Sequence, residues 1–412
     1  MRKSRVLGNT AMLYVMTFAK LVLPLITLPY LTRVLSKEGY ATVSYVKNCM
    51  TYVQLFTDFG FILSSVKDIA QAEDSDELGR ITGNTFLSKL ILSIGSGVVL
   101  LLMCAFIDVL RENAAFVLLS YISVVITVFL ADFLFRGIEK MHYVTLIFVA
   151  SKSVSTALTF VFISSDKDIL LIPTLDIIAS VVAVMISFLV IKHLKIKVRT
   201  SGLADCLALI KSSFVYFLSS IATTAFSALN TLLVGIFMKD DLSAVANWSV
   251  CLTIISAIQN LYSPICNGIY PYMIKEKSLG FIHKILALFM PIVALGCAFS
   301  FFFSRTALII VGGGEYAEAD SLLRAMIPIL FFSFPAQIYG WPTLGAIGKA
   351  KETTSTTIIA AAVQVAGIAV LLITNKFTLV PLAILRGTTE AVLLTLRMVA
   401  VYKNKKEFIL RE

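Results

Sequence analysis

The sequence has little charge for its length. Of its 412 residues, 15% are Asp, Glu, Lys or Arg, against about 25% in an average soluble chain. Hydrophobic residues make up 58%, and the mean hydropathy is +0.90. Because a soluble fold has too little interior to bury so much apolar surface, most of the chain is expected to face lipid. The net charge of +10 is therefore a poor indicator of a nucleic-acid partner.

The sequence also lacks the patterns of metal, disulfide and nucleotide sites. Its six cysteines form no Cys-x-x-Cys pair, and its histidines are scattered at His142, His193 and His283. Neither a disulfide framework nor a metal site is therefore expected. The run 312–314 is three glycines without the Gly-Lys-Ser/Thr of a phosphate loop. We expect no cofactor and no catalytic residue. We also expect that this chain does not hydrolyse ATP as a source of energy.

Apolar runs of about 20 residues or more, long enough to cross a bilayer, occur twelve times. They are 10–34, 40–66, 81–107, 114–135, 143–164, 169–191, 212–237, 243–273, 284–304, 321–346, 355–375 and 379–402. The pattern predicts an all-α polytopic membrane protein with twelve transmembrane helices.

The loops between these runs differ in basic charge. Of the 35 Lys and Arg residues, 22 fall in one alternating set of loops and adjoining segment ends, Arg397 among them, 7 fall in the other set, and the remaining six lie inside the runs. Because cytoplasmic loops carry the excess of Lys and Arg, both termini are expected in the cytoplasm.

The two halves of the chain resemble each other. Spans one and two are joined by 35–39, and spans seven and eight by 237–241, an offset of 202 residues. We predict two six-helix bundles, 1–200 and 201–412, related by a parallel pseudo-repeat. A basic cytoplasmic linker, about 192–211 and ending in a short interfacial helix, is expected to join them.

Apart from those at the segment ends, ten charged residues lie inside the predicted spans, and a charge near the bilayer centre costs about 2.5–3.5 kcal/mol. They are Lys20, Lys47, Lys89, Lys152, Arg324 and Arg386, with Asp58, Asp132, Asp176 and Glu390. Such charges pair with one another, line a wet cavity, or extend to an interface.

The six basic side chains are candidates for a cationic cavity. Four lysines without an evident partner fall in the first half, which suits an anionic substrate such as a phosphate. Arg386 and Glu390 are four residues apart and can pair on one helix. That spacing fits either a structural pair or an ion-coupling site. Asp132 and Arg136 repeat the spacing at a helix end, where a structural role is favoured.

Prolines and amides add two further expectations. Clustered prolines should bend the first helix, at Pro24 and Pro29, and the tenth. Those of the tenth are Pro328, Pro335 and Pro342. Polar side chains in the middle of spans either bind sugar hydroxyls or bond between helices. They are Asn230, Gln259, Asn260, Gln337 and Gln364.

Three segments in the first third resemble a known family. They are 24–35 with Pro24, Pro29 and Arg33, followed by Gly39-Tyr40, then 57–61 with Gly60, and 135–140 with Arg136 and Gly137. Together they are similar to the Wzx-type flippases for O-antigen and capsular polysaccharide. These belong to the multidrug/oligosaccharidyl-lipid/polysaccharide exporter superfamily.

The resemblance implies a transporter of the bacterial plasma (inner) membrane. Its substrate would be an oligosaccharide on undecaprenyl pyrophosphate, moved from the cytoplasmic to the outer leaflet through a cationic cavity. Ion or proton exchange would drive it, with Glu390, Asp176 and Asp58 as the candidate carboxylates. Further partners would be a polymerase and a chain-length regulator of the same pathway. A drug or small-cation exporter of this superfamily stays open, as does a membrane polysaccharide polymerase, although the short loops argue against the latter.

Overall fold

The computed structural model describes residues 2–238 and 241–408, and every regular element in these two ranges is helical. Within them, nine helical segments are long and apolar enough to cross a membrane. The predicted fold class, an all-α polytopic membrane protein, is confirmed. The count of twelve spans stays a prediction, as does the pseudo-repeat.

The helices follow one another with short connections. In chain order they are α1 (Arg2–Val34), α2 (Lys37–Asp58), α3 (Phe61–Gln71), α4 (Ser75–Phe106), α5 (Asp108–Glu112), α6 (Ala114–Thr127), α7 (Asp132–Gly137), α8 (Met141–Phe162), α9 (Leu171–His193), α10 (Leu203–Phe237), α11 (Leu242–Asn260), α12 (Tyr262–Glu276), α13 (Leu279–Phe302), α14 (Ser304–Val311), α15 (Asp320–Ile338), α16 (Ala350–Ile373) and α17 (Leu379–Lys403).

The chain divides into two compact units, Met1–Thr224 and Ala225–Glu412. In the first, α1 packs on α8, and α9 packs on both α6 and α8. In the second, α17 packs on α15 and α16, and α15 also packs on α13.

The predicted linker is shorter in the structure than the sequence suggested. Residues 194–202 are non-helical, and α10 begins at Leu203 and continues to Phe237. The expected short interfacial helix is thus the first part of a 35-residue helix. No proline interrupts α10, so the apolar patch at its start continues in the same helix as the predicted span 212–237.

Three predicted spans are broken, and one of them, 114–135, is divided between α6 and α7 by residues 128–131. The run 40–66 is divided between α2 and α3, because Phe59 and Gly60 adopt left-handed backbone angles, with φ of 42° and 77°. A Cβ on Gly60 would lie 2.7 Å from Cβ of Tyr216, so only glycine fits this approach to α10. Likewise, the run 243–273 is divided between α11 and α12 at Leu261.

The tenth predicted span is also interrupted. After α15 ends, the chain winds through π-helical turns over Tyr339–Gly345, and Gly340 is non-helical with ψ of −118°. Pro342 has no N–H to donate to the carbonyl of Ile338. The hydroxyl of Thr343 donates to that carbonyl instead, at 2.7 Å. The expected distortion of this helix is therefore a break at Gly340. Pro328 and Pro335 remain inside α15, as Pro24 and Pro29 remain inside α1.

Candidate functional site

A cavity of about 610 Å³ lies within the first unit. Three of the six candidate cations line it, namely Lys20 from α1, Lys47 from α2 and Lys152 from α8. Asp132 and Asp176 are the acidic residues of its lining. Lysines therefore outnumber carboxylates in the wall, and the cavity carries an excess of positive charge.

One face of α2 supplies a polar stripe. Lys47, Thr51, Gln54 and Asp58 follow one another at helical spacing, so their side chains share a face over about 16 Å. The first three line the cavity. The amide nitrogen of Gln54 donates to Oδ2 of Asp58 at 3.1 Å and to the hydroxyl of Thr127 at 3.4 Å. Sequence reasoning missed Gln54, although its spacing from Lys47 and Asp58 was a usable signal.

Two lysines of the first half have carboxylate partners. Nζ of Lys47 lies 3.3 Å from Oδ2 of Asp176, and Nζ of Lys89 lies 2.8 Å from Oδ1 of Asp58. The hydroxyl of Ser155 also donates to Asp176, at 3.0 Å. The expectation of four unpaired lysines is therefore wrong for Lys47 and Lys89. Both pairs join different helices, and such contacts cannot be read from spacing along one helix.

Lys20 and Lys152 differ from these two. Neither has a carboxylate within 4 Å among the described side chains. Nζ of Lys20 lies 5.2 Å from the centroid of the Phe148 ring, a cation–π distance. Both lysines are exposed and line the cavity, so their ammonium groups are accessible to a ligand.

Three candidate cations lie outside this cavity. The side chain of Lys89 is only 8% exposed and pairs with Asp58. Arg324 and Arg386 belong to the second unit, and each pairs within its own helix. Nη2 of Arg324 lies 3.0 Å from Asp320, and Nη2 of Arg386 lies 3.1 Å from Glu390. All three carboxylates proposed for ion coupling thus have a basic partner.

The residues of the family-like segments occupy close-packed or terminal positions. Gly137 packs directly against the side chain of Ile69, where a Cβ would collide. Arg33 is exposed in the last turn of α1. Asp132 and Arg136 lie one turn apart in α7, and Asp132 additionally lines the cavity. A structural role for these residues stays a prediction.

A buried arginine in the second unit was missed. The charge distribution assigns Arg397 to a cytoplasmic segment end, but it lies inside α17 and is only 8% exposed. Its Nη1 donates to the carbonyl of Ala336 at 2.6 Å, and its Nη2 to the hydroxyl of Thr357 at 3.1 Å. Arg386, Glu390 and Arg397 share one helical face. That spacing could have marked Arg397 as part of the same buried stripe.

Two of the mid-span amides bond between helices. The amide nitrogen of Gln364 donates to Oδ1 of Asn230 at 3.0 Å, and its oxygen accepts from Thr389 at 2.6 Å. No group of three His, Cys, Asp or Glu in the described ranges could hold a metal ion.

Comparison with known proteins places this architecture in a family. A family model described as polysaccharide biosynthesis protein matches residues 6–277. A protein of Escherichia coli K12 named "Putative O-antigen transporter" is 26% identical over 405 residues, covering 96% of this chain and 97% of that protein. A protein of Shigella dysenteriae with the same name is 27% identical over 340 residues, covering 80% and 82%.

Solved structures share the fold at low identity. The lipid II flippase MurJ, in an inward closed conformation, matches with a TM-score of 0.76 at 11% identity, over 94% of this chain and 87% of that one. An inward-facing multidrug resistance MATE family transporter of the MOP superfamily matches with a TM-score of 0.68 at 15% identity, over 95% and 96%. The fold of this chain is therefore that of the MurJ and MATE transporters. The chain belongs to the polysaccharide biosynthesis protein family.

Proposed function

We propose that this protein moves undecaprenyl-pyrophosphate-linked oligosaccharide units from the cytoplasmic to the outer leaflet of the bacterial plasma membrane. The units would serve the synthesis of O-antigen, capsule or exopolysaccharide. The observation that carries the proposal is the convergence of Lys20, Lys47 and Lys152 on one cavity from α1, α2 and α8, of which α1 and α8 contain segments long and apolar enough to cross a membrane. A lipid-linked pyrophosphate is an anion whose tail stays in the bilayer, so its head group needs such an environment.

The chemistry of the cavity suits this substrate. An ammonium group meets a phosphate as a point charge with three donors. Among the described side chains, Lys20 and Lys152 have no carboxylate within 4 Å to offset the cost of a membrane-embedded charge, and a bound pyrophosphate would supply the opposite charge. Lys47 already pairs with Asp176. An entering pyrophosphate would compete with Asp176 for that ammonium group.

The relatives support the same substrate class. Two of them are named O-antigen transporters and match along most of their length, and a lipid II flippase shares the fold. A drug or small-cation exporter is the less suitable alternative, because a cationic substrate would be repelled by the excess of lysine. We propose a transport role without catalysis for this chain, in line with the relatives' names.

Asp176 is the carboxylate best placed for ion coupling. It lines the cavity and pairs with Lys47, whereas Glu390 and Asp58 pair outside the cavity lining. Protonation of Asp176 would free Lys47 for the substrate. Asp176→Asn should therefore leave protein in the membrane while transport loses its pH dependence. Glu390→Gln should instead lower the amount of folded protein. Normal pH-dependent transport by Asp176→Asn would reject this assignment.

The remaining expectations are proposals of the same kind. Two bundles, 1–200 and 201–412, would move by alternating access, with both termini in the cytoplasm. A polymerase and a chain-length regulator of the pathway would receive the flipped unit.

The central experiment is complementation of a deletion strain, with the leaflet of the lipid-linked precursor assayed. The deletion should accumulate precursor in the cytoplasmic leaflet, and Lys20→Gln or Lys152→Gln should fail to restore surface polysaccharide although the protein is present. Lys167→Gln, at an exposed lysine of the loop between α8 and α9, is the matched control and should complement fully. Full complementation by both cavity variants at native expression would reject the proposal.

A further inference from the structure

The second unit contains its own cavity, of about 420 Å³, beside the break at Gly340. This volume is in the range of small-molecule sites, about 300–1,000 Å³. Its wall is formed by α12, by α15 with the turns that follow it, and by α17. On the predicted topology it lies towards the cytoplasmic ends of α12 and α17.

Arg397 holds the break that shapes this cavity. In a continuous α-helix the N–H of Gly340 would donate to the carbonyl of Ala336, and here Nη1 of Arg397 donates to that carbonyl at 2.6 Å. The same nitrogen lies 2.7 Å from the place where a Cβ of Gly340 would stand. The guanidinium therefore occupies space that only glycine leaves open, and it adds a side-chain hydrogen bond to a carbonyl near the end of α15.

An aromatic ring is held in the wall by a second glycine. An ideal Cβ on Gly345 would lie 2.8 Å from Cε3 of Trp341, so the indole packs where a side chain at 345 would stand. Trp341 is 55% exposed, whereas the other tryptophan of the chain, Trp248, is 1% exposed and donates to Thr231. The indole of Trp341 is thus available to a ligand.

Four of the six lining residues other than Trp341 are polar, and one of these four is charged. Gln337 lies one turn before Trp341, and the hydroxyl-bearing side chains of Ser263 and Tyr270 also line the cavity. Arg397 is the one cation of the lining, and both of its terminal nitrogens already donate to protein oxygens. An exposed aromatic ring beside amide and hydroxyl groups suits a ligand with one apolar face and a rim of hydroxyls, which describes a pyranose sugar.

We infer that this cavity is a sugar-binding site, with Trp341 stacking on the ring and Gln337 bonding to its hydroxyls. The inference rests on the proposed function, since it supplies the part of the protein that contacts the glycan rather than the pyrophosphate. Unlike Asn230 and Gln364, which bond to each other, Gln337 faces a cavity.

The test uses fluorescence of the full-length Trp248→Phe protein, in which Trp341 is the only tryptophan. The probes are free glucose, galactose, rhamnose, N-acetylglucosamine and glucuronate, with inorganic phosphate as a separate arm. At least one sugar should change the emission of Trp341 in a saturable way. Gln337→Ala should weaken that binding about fivefold to tenfold, as expected for the loss of one hydrogen bond.

Gly345→Ala should also weaken sugar binding, because its methyl group displaces the indole. Gly296→Ala is the matched control, since no described atom lies within 4 Å of its Cβ position, and it should bind as the parent does. The inference is overturned if no sugar gives a saturable change, if Gln337→Ala and Gly345→Ala both bind like the control, or if phosphate alone produces the change.

A parallel measurement separates this inference from the proposed function. Binding of undecaprenyl pyrophosphate without sugar, followed by native mass spectrometry, should weaken in Lys152→Gln and not in Gln337→Ala. If lipid binding depends on Lys152 but no sugar changes the emission of Trp341, the sugar-site inference is rejected and the proposed function is not. Lipid binding unaffected by Lys152→Gln would count against the proposed function, whatever the sugars do.

Discussion

Nη2 of Arg386 lies 3.1 Å from Oε1 of Glu390, one turn apart on α17, and the two side chains are only 9% and 5% exposed. A buried pair of this kind contributes little net stability when intact, because both charges lose their solvent. Removing one partner is costly, because it leaves the other charge buried and uncompensated.

Arg386→Met should therefore destabilise the protein by about 3–5 kcal/mol, measured as a lower thermal transition in detergent. Arg305→Met, at an exposed arginine of α14, is the control and should change stability little. The exchange of Arg386→Glu with Glu390→Arg should recover most of the loss. Equal stability of the Arg386→Met and Arg305→Met proteins would contradict a tightly coupled pair of Arg386 and Glu390.

The break between α2 and α3 predicts a strong effect of a single methyl group. Gly60→Ala forces a side chain into a left-handed backbone and against Tyr216, so it should cost about 1–3 kcal/mol of stability. Gly95→Ala, inside α4 with no described atom within 4 Å of its Cβ position, should instead be neutral or stabilising by up to about 1 kcal/mol. Thermal unfolding of both variants measures the difference, and similar losses would refute the steric account.

The loop between α8 and α9 should respond to acid. Asp168 accepts hydrogen bonds from the backbone N–H and the hydroxyl of Ser164, at 3.0 and 2.8 Å, and from the N–H of Ser165 at 3.1 Å. These bonds lower the pKa of the Asp168 carboxyl, the backbone bond from Ser164 being the largest cause.

A lowered pKa means that this carboxylate stabilises the fold above its ordinary pKa, and that the contribution is lost as pH falls through the folded value. Asp168→Asn should consequently unfold at lower temperature than the parent at neutral pH, and the gap should close in acid. Glu112→Gln, an exposed carboxylate of α5, is the control. A gap that persists unchanged in acid would reject the role of the charge.

Topology can be tested by cysteine labelling. The distribution of Lys and Arg predicts that Lys37→Cys, Lys167→Cys and Lys376→Cys react with an impermeant reagent from outside, and that Lys349→Cys does not. The partly exposed Cys104, Cys266 and Cys297 must first be replaced by serine in the background. If two of the three positions predicted to lie outside are protected from the reagent, the predicted orientation or the predicted number of spans is wrong.

Most of the helical architecture could be predicted, because a bilayer requires long apolar helices and long apolar runs are visible in one sequence. The charges inside the spans were equally visible, and three of the predicted cations do share one cavity. What the sequence could not provide was the partner of each charge. Lys89 meets Asp58 from 31 residues away, and only the packing of α4 on α2 brings them together.

Backbone breaks were harder to place than spans. Gly60 and Gly340 look like ordinary glycines within apolar runs, and a break there depends on what the neighbouring helix brings close. The position of Arg397 shows the same limit. Arg397 lies near the end of an apolar run, where an arginine usually faces the cytoplasm. Its two hydrogen-bond acceptors nevertheless belong to α15 and α16.

Arg397 supplies two diverging N–H donors, one to Ala336 and the other to Thr357. A lysine in its place would keep the positive charge but end in a single nitrogen, which cannot reach both acceptors with the planar geometry of a guanidinium. Replacement by lysine would therefore preserve the electrostatics of this unit while losing the shape of the broken helix. The two hydrogen bonds at this position therefore require the geometry of an arginine side chain and not only its charge.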